Sequence, residues 1–364
     1  MLKIEKPTLL LDEQKVKRNI SRMAEKANRC GVRLRPHFKT HQSAIIGEWF
    51  RAQGVTDITV SSVDMALYFA QHGWDDITIA FPVNWLEIDK INHLAGTIRL
   101  NLLVESVETV QFLTAHLQHP TSLWLKVDTG YSRTGIPWTN QKQFAEVAEA
   151  VAAASQLTLM GLLTHAGHAY GPITRDAAAQ IYQETVFRLQ AVRDSLPYAE
   201  LLISLGDTPT TTLVDELTAI DEIRPGNFVF YDYMQAYNGV CSIDDIAIAL
   251  ACPVVARHPE RQELVIYGGA VHLSKEHLTL PDGCLHFGAV ALPTDTGWST
   301  PVPNAFVHRL SQEHGLIYAN STFIDQVHIG DLLLVLPIHS CLTANLRQSY
   351  LTLDGKIIPM AGIL

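Results

Sequence analysis

Arg35-Pro36-His37-Phe38-Lys39-Thr40-His41 is the first stretch of this chain with the residue types for covalent chemistry. The Lys39 amine could form a Schiff base with a carbonyl compound and afterwards move a proton. Four further segments are similarly rich: Asp128-Thr129-Gly130-Tyr131-Ser132-Arg133-Thr134-Gly135, His165-Ala166-Gly167-His168-Ala169-Tyr170, Ser204-Leu205-Gly206-Asp207-Thr208-Pro209-Thr210 and Arg224-Pro225-Gly226-Asn227. The last two set small residues beside hydroxyls, the composition with which backbone N–H groups and Ser or Thr donors hold a phosphate. Singly, each is also an ordinary turn, and Lys39 an ordinary solvated lysine. An amine together with phosphate loops is what pyridoxal phosphate requires. Near the other end, His339-Ser340-Cys341 pairs an imidazole with a thiol. Two donors are fewer than a structural zinc site uses, and the spacing alone does not make a site.

These segments need elements to position them. Eight short runs rich in β-branched and aliphatic residues, at 33–38, 57–60, 77–80, 98–104, 123–127, 157–163, 201–205 and 220–224, alternate with helical patterns. Ahead of the first, Asp12 can cap a helix whose Val16, Ile20, Met23, Ala24 and Ala27 share one face, with Gly31 to end it. Further helical windows lie at 43–53, 62–71, 106–117, 141–154 and 175–194. Eight strands alternating with helices over some two hundred residues predict a (β/α)8 TIM barrel, and an open doubly wound sheet fits the periodicity nearly as well. In a barrel the chemistry-bearing segments all fall just after strands, where active sites are built. From about residue 240 the rhythm changes to closely spaced strands at 246–257, 263–267, 306–310, 316–318, 332–336 and 350–353. The reading is a barrel over 12–240 and a mostly β domain over 241–364, joined by the N-terminal strand 1–11.

Composition narrows the function classes. With 47% hydrophobic and 18% charged residues in 364, the chain is globular. A net charge of -10 without a basic stripe argues against nucleic acid. The longest apolar stretch, 147–163, is broken by Glu149, Ser155, Gln156 and Thr158 and falls short of the roughly 18 residues a membrane helix needs. Five scattered cysteines read as reduced thiols, and the first thirteen residues carry no secretion signal, so the cytoplasm is the expected compartment. Sixteen histidines are more than a core needs and favour an imidazole-rich site.

Here the chain resembles a known family. Pro7-Thr8, Arg35-Pro36-His37-Phe38-Lys39-Thr40-His41, Asp128-Thr129-Gly130 with Arg133-Thr134-Gly135, Arg224-Pro225-Gly226-Asn227, Ser311-Gln312-Glu313-His314-Gly315 and Pro337-Ile338-His339-Ser340-Cys341 are similar, in order, to the D-serine dehydratase and D-threonine aldolase group. Those are pyridoxal-phosphate enzymes built on the alanine-racemase barrel. Two positions depart: Ile338 stands where Asn is usual before the metal histidine, and Phe228 where Tyr is common.

The resemblance implies that Lys39 bonds the cofactor and moves the Cα proton, that Arg133 meets the phenolic oxygen, and that His165 lies against the pyridine ring. It assigns the phosphate to Thr208, Gly226 and Asn227, and gives the ring nitrogen to Tyr170 with Arg224, by analogy to alanine racemase, as the competitor. It places a divalent metal on His339 and Cys341, and the soft thiolate favours zinc. The implied reaction is dehydration of a β-hydroxy D-amino acid, D-serine or D-threonine, to a 2-oxo acid and ammonia. Retro-aldol cleavage to glycine and an aldehyde is the alternative, because the same parts serve it; the His-x-Cys pair resembles the dehydratase branch, whereas an oxygen ligand is associated with the aldolases. Racemisation and carriage of pyridoxal phosphate without turnover rank behind these. A homodimer is also implied.

Overall fold

Parallel strands need long crossovers, and the alternation of short aliphatic runs with amphipathic stretches supplies them. The computed structural model describes residues 3–171, 173–198 and 200–362. Its parallel strands are Arg33–Leu34, Asp57–Val60, Asp76–Pro82, Arg99–Val104, Thr121–Asp128, Leu157–Thr164, Leu202–Leu205 and Glu222–Ile223. From the second to the eighth, each pairs with the next in chain order. The eighth pairs back onto the first, with Glu222 opposite Arg33 and Ile223 opposite Leu34. The first meets the second through the bridge His37–Thr59, which completes the barrel. Ile58, Ile77, Leu102, Leu123, Leu125, Leu162 and Ile203 are buried along it, as strands covered on both faces require.

Helix starts follow local chemistry. Asp12 Oδ1 accepts Lys15 N at 3.0 Å, and Val16, Ile20, Met23, Ala24 and Ala27 of the helix Glu13–Cys30 are all buried. Gly31, at φ +68°, takes the left-handed turn that ends it. Ser62, Ser106, Asn140 and Thr174 cap the helices Val63–Gln71, Val107–His116, Gln141–Ala152 and Arg175–Asp194 through their side-chain oxygens.

The first and last barrel strands are two residues each, shorter than the sequence runs suggested. Pro36 and Pro225 follow within two residues and lack the N–H that a ladder needs. Pairing nevertheless continues irregularly: His37 N donates to Pro225 O (2.9 Å) and Phe38 N to Thr59 O (2.8 Å). The helix Ile88–Ala95 was not foreseen.

By contacts, residues 21–39 and 47–226 form one compact unit, the barrel. Those up to 20, 40–46 and from 227 onward form the other. The division thus falls after Gly226, ahead of the change of rhythm near 240 read from the sequence. The second unit holds an antiparallel ring in the order Ile248–His258, Glu263–Tyr267, His314–Tyr318, Phe306–Leu310, Gly288–Ala291 and Leu332–Pro337, which returns to Ile248–His258. Thr8–Leu11 lies antiparallel against residues 248–251 and beside Ser349–Thr352. Leu10, Ile246, Ala249, Ala251, Ala289, Ala291, Leu334 and Leu336 form its core. The strand Gly288–Ala291 escaped the sequence reading because its residues are mostly small. They are small because the neighbours are close: a Cβ on Gly288 would meet Val335 Cγ1 at 2.4 Å. No helix of the described residues is long and apolar enough to cross a membrane.

Candidate active site

In the barrel unit, Lys39 stands just beyond the first strand. Phe38 anchors it, packed edge-on or tilted against Phe50, Phe69 and Trp74 at centroid distances of 5.0, 4.9 and 5.1 Å. With Phe38 fixed inward, Lys39 is exposed at the strand end, and its backbone N–H donates to His37 Nδ1 at 3.4 Å. Burial, with the positive charges of Lys39, Arg224 and Arg133 nearby, holds His37 well below its ordinary pKa, so this imidazole is neutral. The same effect shows that Lys39, Arg133, His165 and Arg224, all singled out in the sequence, surround one place.

Each of these is held by its own element. Arg133 rides the loop after Thr121–Asp128, where Asp128 Oδ1 accepts the N–H groups of Gly130 and Ser132. Its guanidinium lies 5.2 Å from the centre of the Tyr131 ring. His165 follows Leu157–Thr164 and donates from Nδ1 to the Gly206 carbonyl. Burial lowers its pKa to about 3 and keeps it neutral. Tyr170, 5.9 Å away ring to ring, accepts Thr208 N with its hydroxyl at 3.3 Å. That contact sets Tyr170 beside the expected phosphate residue Thr208.

Arg224 is buried, with Nε donating to Ser204 Oγ (2.7 Å) and Nη2 to Thr164 O (2.5 Å). Burial lowers its pKa to about 10, against the pull of Glu222, so it stays charged at neutral pH. Its guanidinium faces Gly206, where any Cβ would come within 2.9 Å. Behind it, Ser204 Oγ donates to Glu222 Oε1 (2.7 Å), and Glu222 Oε2 accepts Arg35 Nε (2.6 Å). Arg35 Nη1 reaches Asp76 Oδ1 at 2.6 Å. Burial opposes the Arg35 charge, but Glu222 and Asp76 outweigh it and raise its pKa. Arg35, quoted above only as part of a motif, is therefore a buried strut of the barrel.

Sequence reasoning also passed over Lys126. It is buried on the strand Thr121–Asp128, and burial with Arg224 and Arg133 nearby lowers its pKa to about 7. A charged residue in the apolar run Leu123-Trp124-Leu125-Lys126-Val127 was the available signal.

A phosphate-bearing anion fits this unit. Thr208 Oγ1 is buried and has no partner among the described residues. Asp207 spends its carboxylate on Thr210 N and Oγ1, at 2.7 Å each, and its pKa rises to about 6 through burial. Gly226 follows Pro225, whose carbonyl accepts His37 N.

In the second unit, His339 and Cys341 lie in hydrogen-bonding contact around the start of the helix Ser340–Asn345. Cys341 Sγ is also 3.2 Å from Thr40 Oγ1. Asp232, not foreseen, sits 3.4 Å from His339 Nδ1 through Oδ2. Burial disfavours charge on His339, but Cys341 and Asp232 together push its pKa up to about 11, so a metal ion would have to displace that proton. Asn227 was expected at the phosphate; its side-chain amide instead donates to Asp232 Oδ2 (2.6 Å) and Ser340 Oγ (2.9 Å), 3.8 Å from Cys341 Sγ. Imidazole and thiol side by side, with a carboxylate at the imidazole Nδ1, fit a zinc-type donor set. No cluster of three or more His, Cys, Asp and Glu donors occurs among the described residues.

Comparison with known proteins bears on the fold and the family. The family of the alanine racemase N-terminal domain matches residues 11–234, and a serine dehydratase domain matches 247–353. The D-serine dehydratase of Dictyostelium discoideum is 28% identical, covering 97% of this chain and 94% of its own. A 3-hydroxy-D-aspartate aldolase from Paracoccus denitrificans (strain Pd 1222) is 26% identical, over 97% and 90% of the two chains. The solved structure of D-threo-3-hydroxyaspartate dehydratase from Delftia sp. HT23 superposes with a TM-score of 0.90 at 26% identity, covering 98% and 97%. A cysteine-to-alanine mutant of that dehydratase has been solved in a form described as metal-free. With a barrel match over more than half its length, the chain belongs to the alanine racemase N-terminal domain family.

Proposed function

We propose that this chain is a pyridoxal-phosphate-dependent lyase that dehydrates β-hydroxy D-amino acids, D-serine or D-threonine first, to a 2-oxo acid and ammonia. The observation that carries the dehydratase reading is the thiol of Cys341 held against His339, a donor pair suited to zinc. Full-length similarity to enzymes named as D-amino-acid dehydratases supports it.

Pyridoxal phosphate, when bound, supplies an electron sink for the charge left at Cα, and zinc supplies a Lewis acid for the β-oxygen. Lys39 would hold the cofactor through its amine and would serve as the base for the Cα proton. Thr208 and Gly226 would hold the phosphate. Arg133 donates to the phenolic oxygen. His165, fixed by its bond to Gly206 O, covers the ring as a neutral imidazole. Tyr170, whose hydroxyl accepts Thr208 N, is the first candidate for the ring nitrogen, and Arg224, charged at neutral pH, is the competitor. His339 and Cys341 bind the metal. A homodimer is the expected assembly, to be checked by sedimentation.

Full-length similarity to a 3-hydroxy-D-aspartate aldolase supports a second reading, cleavage of Cα–Cβ. Product analysis after incubation with D-threonine, pyridoxal phosphate and zinc separates the two. 2-Oxobutanoate and ammonia are expected; glycine and acetaldehyde would establish the aldolase instead.

A further inference from the structure

Asp232 is fully buried, and its two oxygens do different work. Oδ1 accepts Gln235 N at 2.9 Å and so caps the short helix Tyr233–Tyr237. Oδ2 takes no part in that cap. It gathers three residues from two pieces of chain: Asn227 Nδ2 at 2.6 Å, Ser340 N at 3.0 Å with Ser340 Oγ at 3.3 Å, and His339 Nδ1 at 3.4 Å. The helix behind it is itself anchored. Tyr233 stacks on His286 (4.9 Å, 7° between planes), His286 stacks on Phe306 (4.9 Å, 6°), and Met234 N donates to the carbonyl of Ile338, the residue before His339.

We propose that Asp232 is the positioning residue of the metal centre, holding His339 through Nδ1 so that the other imidazole nitrogen is left to the ion. The inference rests on the metal reading above. A carboxylate on the far nitrogen fixes the tautomer and ring orientation and makes the imidazole a better donor. Asp232 also fastens Ser340, and thereby sets the spacing from His339 to Cys341. A cap alone would need only Oδ1.

The test is zinc affinity, measured on cofactor-loaded protein by competition with a chromophoric chelator, for wild type, Asp232→Asn, His339→Ala and the double variant. Wild type should bind zinc, and Asp232→Asn should weaken it roughly 10–100-fold. In the His339→Ala background the same change should cost less than about twofold, because its route runs through that imidazole. Equal zinc affinity in wild type and Asp232→Asn overturns the proposal while leaving the metal site standing, as does an equal loss in both backgrounds, which would mark a general structural role. Failure of wild type to bind zinc removes the metal reading and this inference together. Should Asp232→Asn not fold, Asp232→Glu keeps the charge but shifts it by one methylene; undiminished affinity there would also overturn the proposal.

Discussion

The two units build their sites in different ways. In the barrel, Lys39, Arg133, His165 and Arg224 come from four strand ends spread over nearly two hundred residues, and they converge only because the parallel strands close. In the second unit the donors sit two residues apart, around one helix start, braced by Asp232. Both rely on a buried carboxylate that faces several donors. Glu222 answers two arginine systems, Arg35 directly and Arg224 through Ser204, whereas Asp232 answers amides, a hydroxyl and an imidazole. The first carboxylate balances the barrel's buried charge; the second is proposed to orient the metal ligands. One site depends on topology and the other on local bracing.

Variants can break this contrast. Lys39→Ala should lower turnover of D-threonine by about 10³-fold or more and change the bound cofactor's visible absorbance, with thermal stability nearly unchanged because Lys39 is exposed. A rate close to wild type would remove Lys39 from the chemistry. Glu222→Gln leaves Arg35 with only Asp76 and the more distant Asp57 as counter-charges in a buried setting and should cost about 3–5 kcal/mol in urea unfolding. If Asp232→Asn costs as much, the two carboxylates are not doing different jobs. Cys341→Ala should reduce zinc affinity by more than the roughly 10–100-fold typical of an outer partner, while the cofactor absorbance stays as in wild type. A joint loss of zinc and cofactor would mean that the sites are not separately built.

The smallest effect is one of pH. Lys126 has a folded pKa of about 7, depressed mainly by burial, so between there and its unfolded value near 10.5 the unfolded chain binds more protons. The penalty is full below about pH 7 and fades as pH rises. Stability of the cofactor-free protein should therefore climb with pH in this window by up to about 1.4 kcal/mol per unit, and Lys126→Met should flatten the climb. Urea titrations across the window measure it. An unchanged slope would place Lys126 in a wetter setting than its burial suggests.

Particular residues show what was legible. The barrel strands were readable because aliphatic runs alternated with helical periods; the short ends at Pro36 and Pro225 were not, because ladder partners decide where pairing stops. Lys39 and His339-Ser340-Cys341 stood out as motifs, since their chemistry lies in adjacent residues. Asp232 did not, because nothing in Phe230-Tyr231-Asp232-Tyr233 distinguishes a metal-site brace from a helix cap. Asn227 was legible only in part for the same reason: its place after Gly226 suggested a phosphate, and nothing local showed that its side chain turns to Asp232 and Ser340. Gly288 was silent because its role is to lack a side chain beside Val335.

What the sequence by itself determined was local: the period of each element, the caps at Ser62, Ser106, Asn140 and Thr174, and the kinds of atom available at Lys39, Thr208, His339 and Cys341. Tertiary structure alone decided which of those atoms became neighbours and in what state. Burial with three positive groups nearby made His37 neutral, closure of the barrel stretched a line of hydrogen bonds from Asp76 through Arg35, Glu222 and Ser204 to Arg224, and the fold of the second unit set Asp232 behind His339. Charge state and hydrogen-bond partner depend on desolvation and distance, and neither exists until remote segments pack.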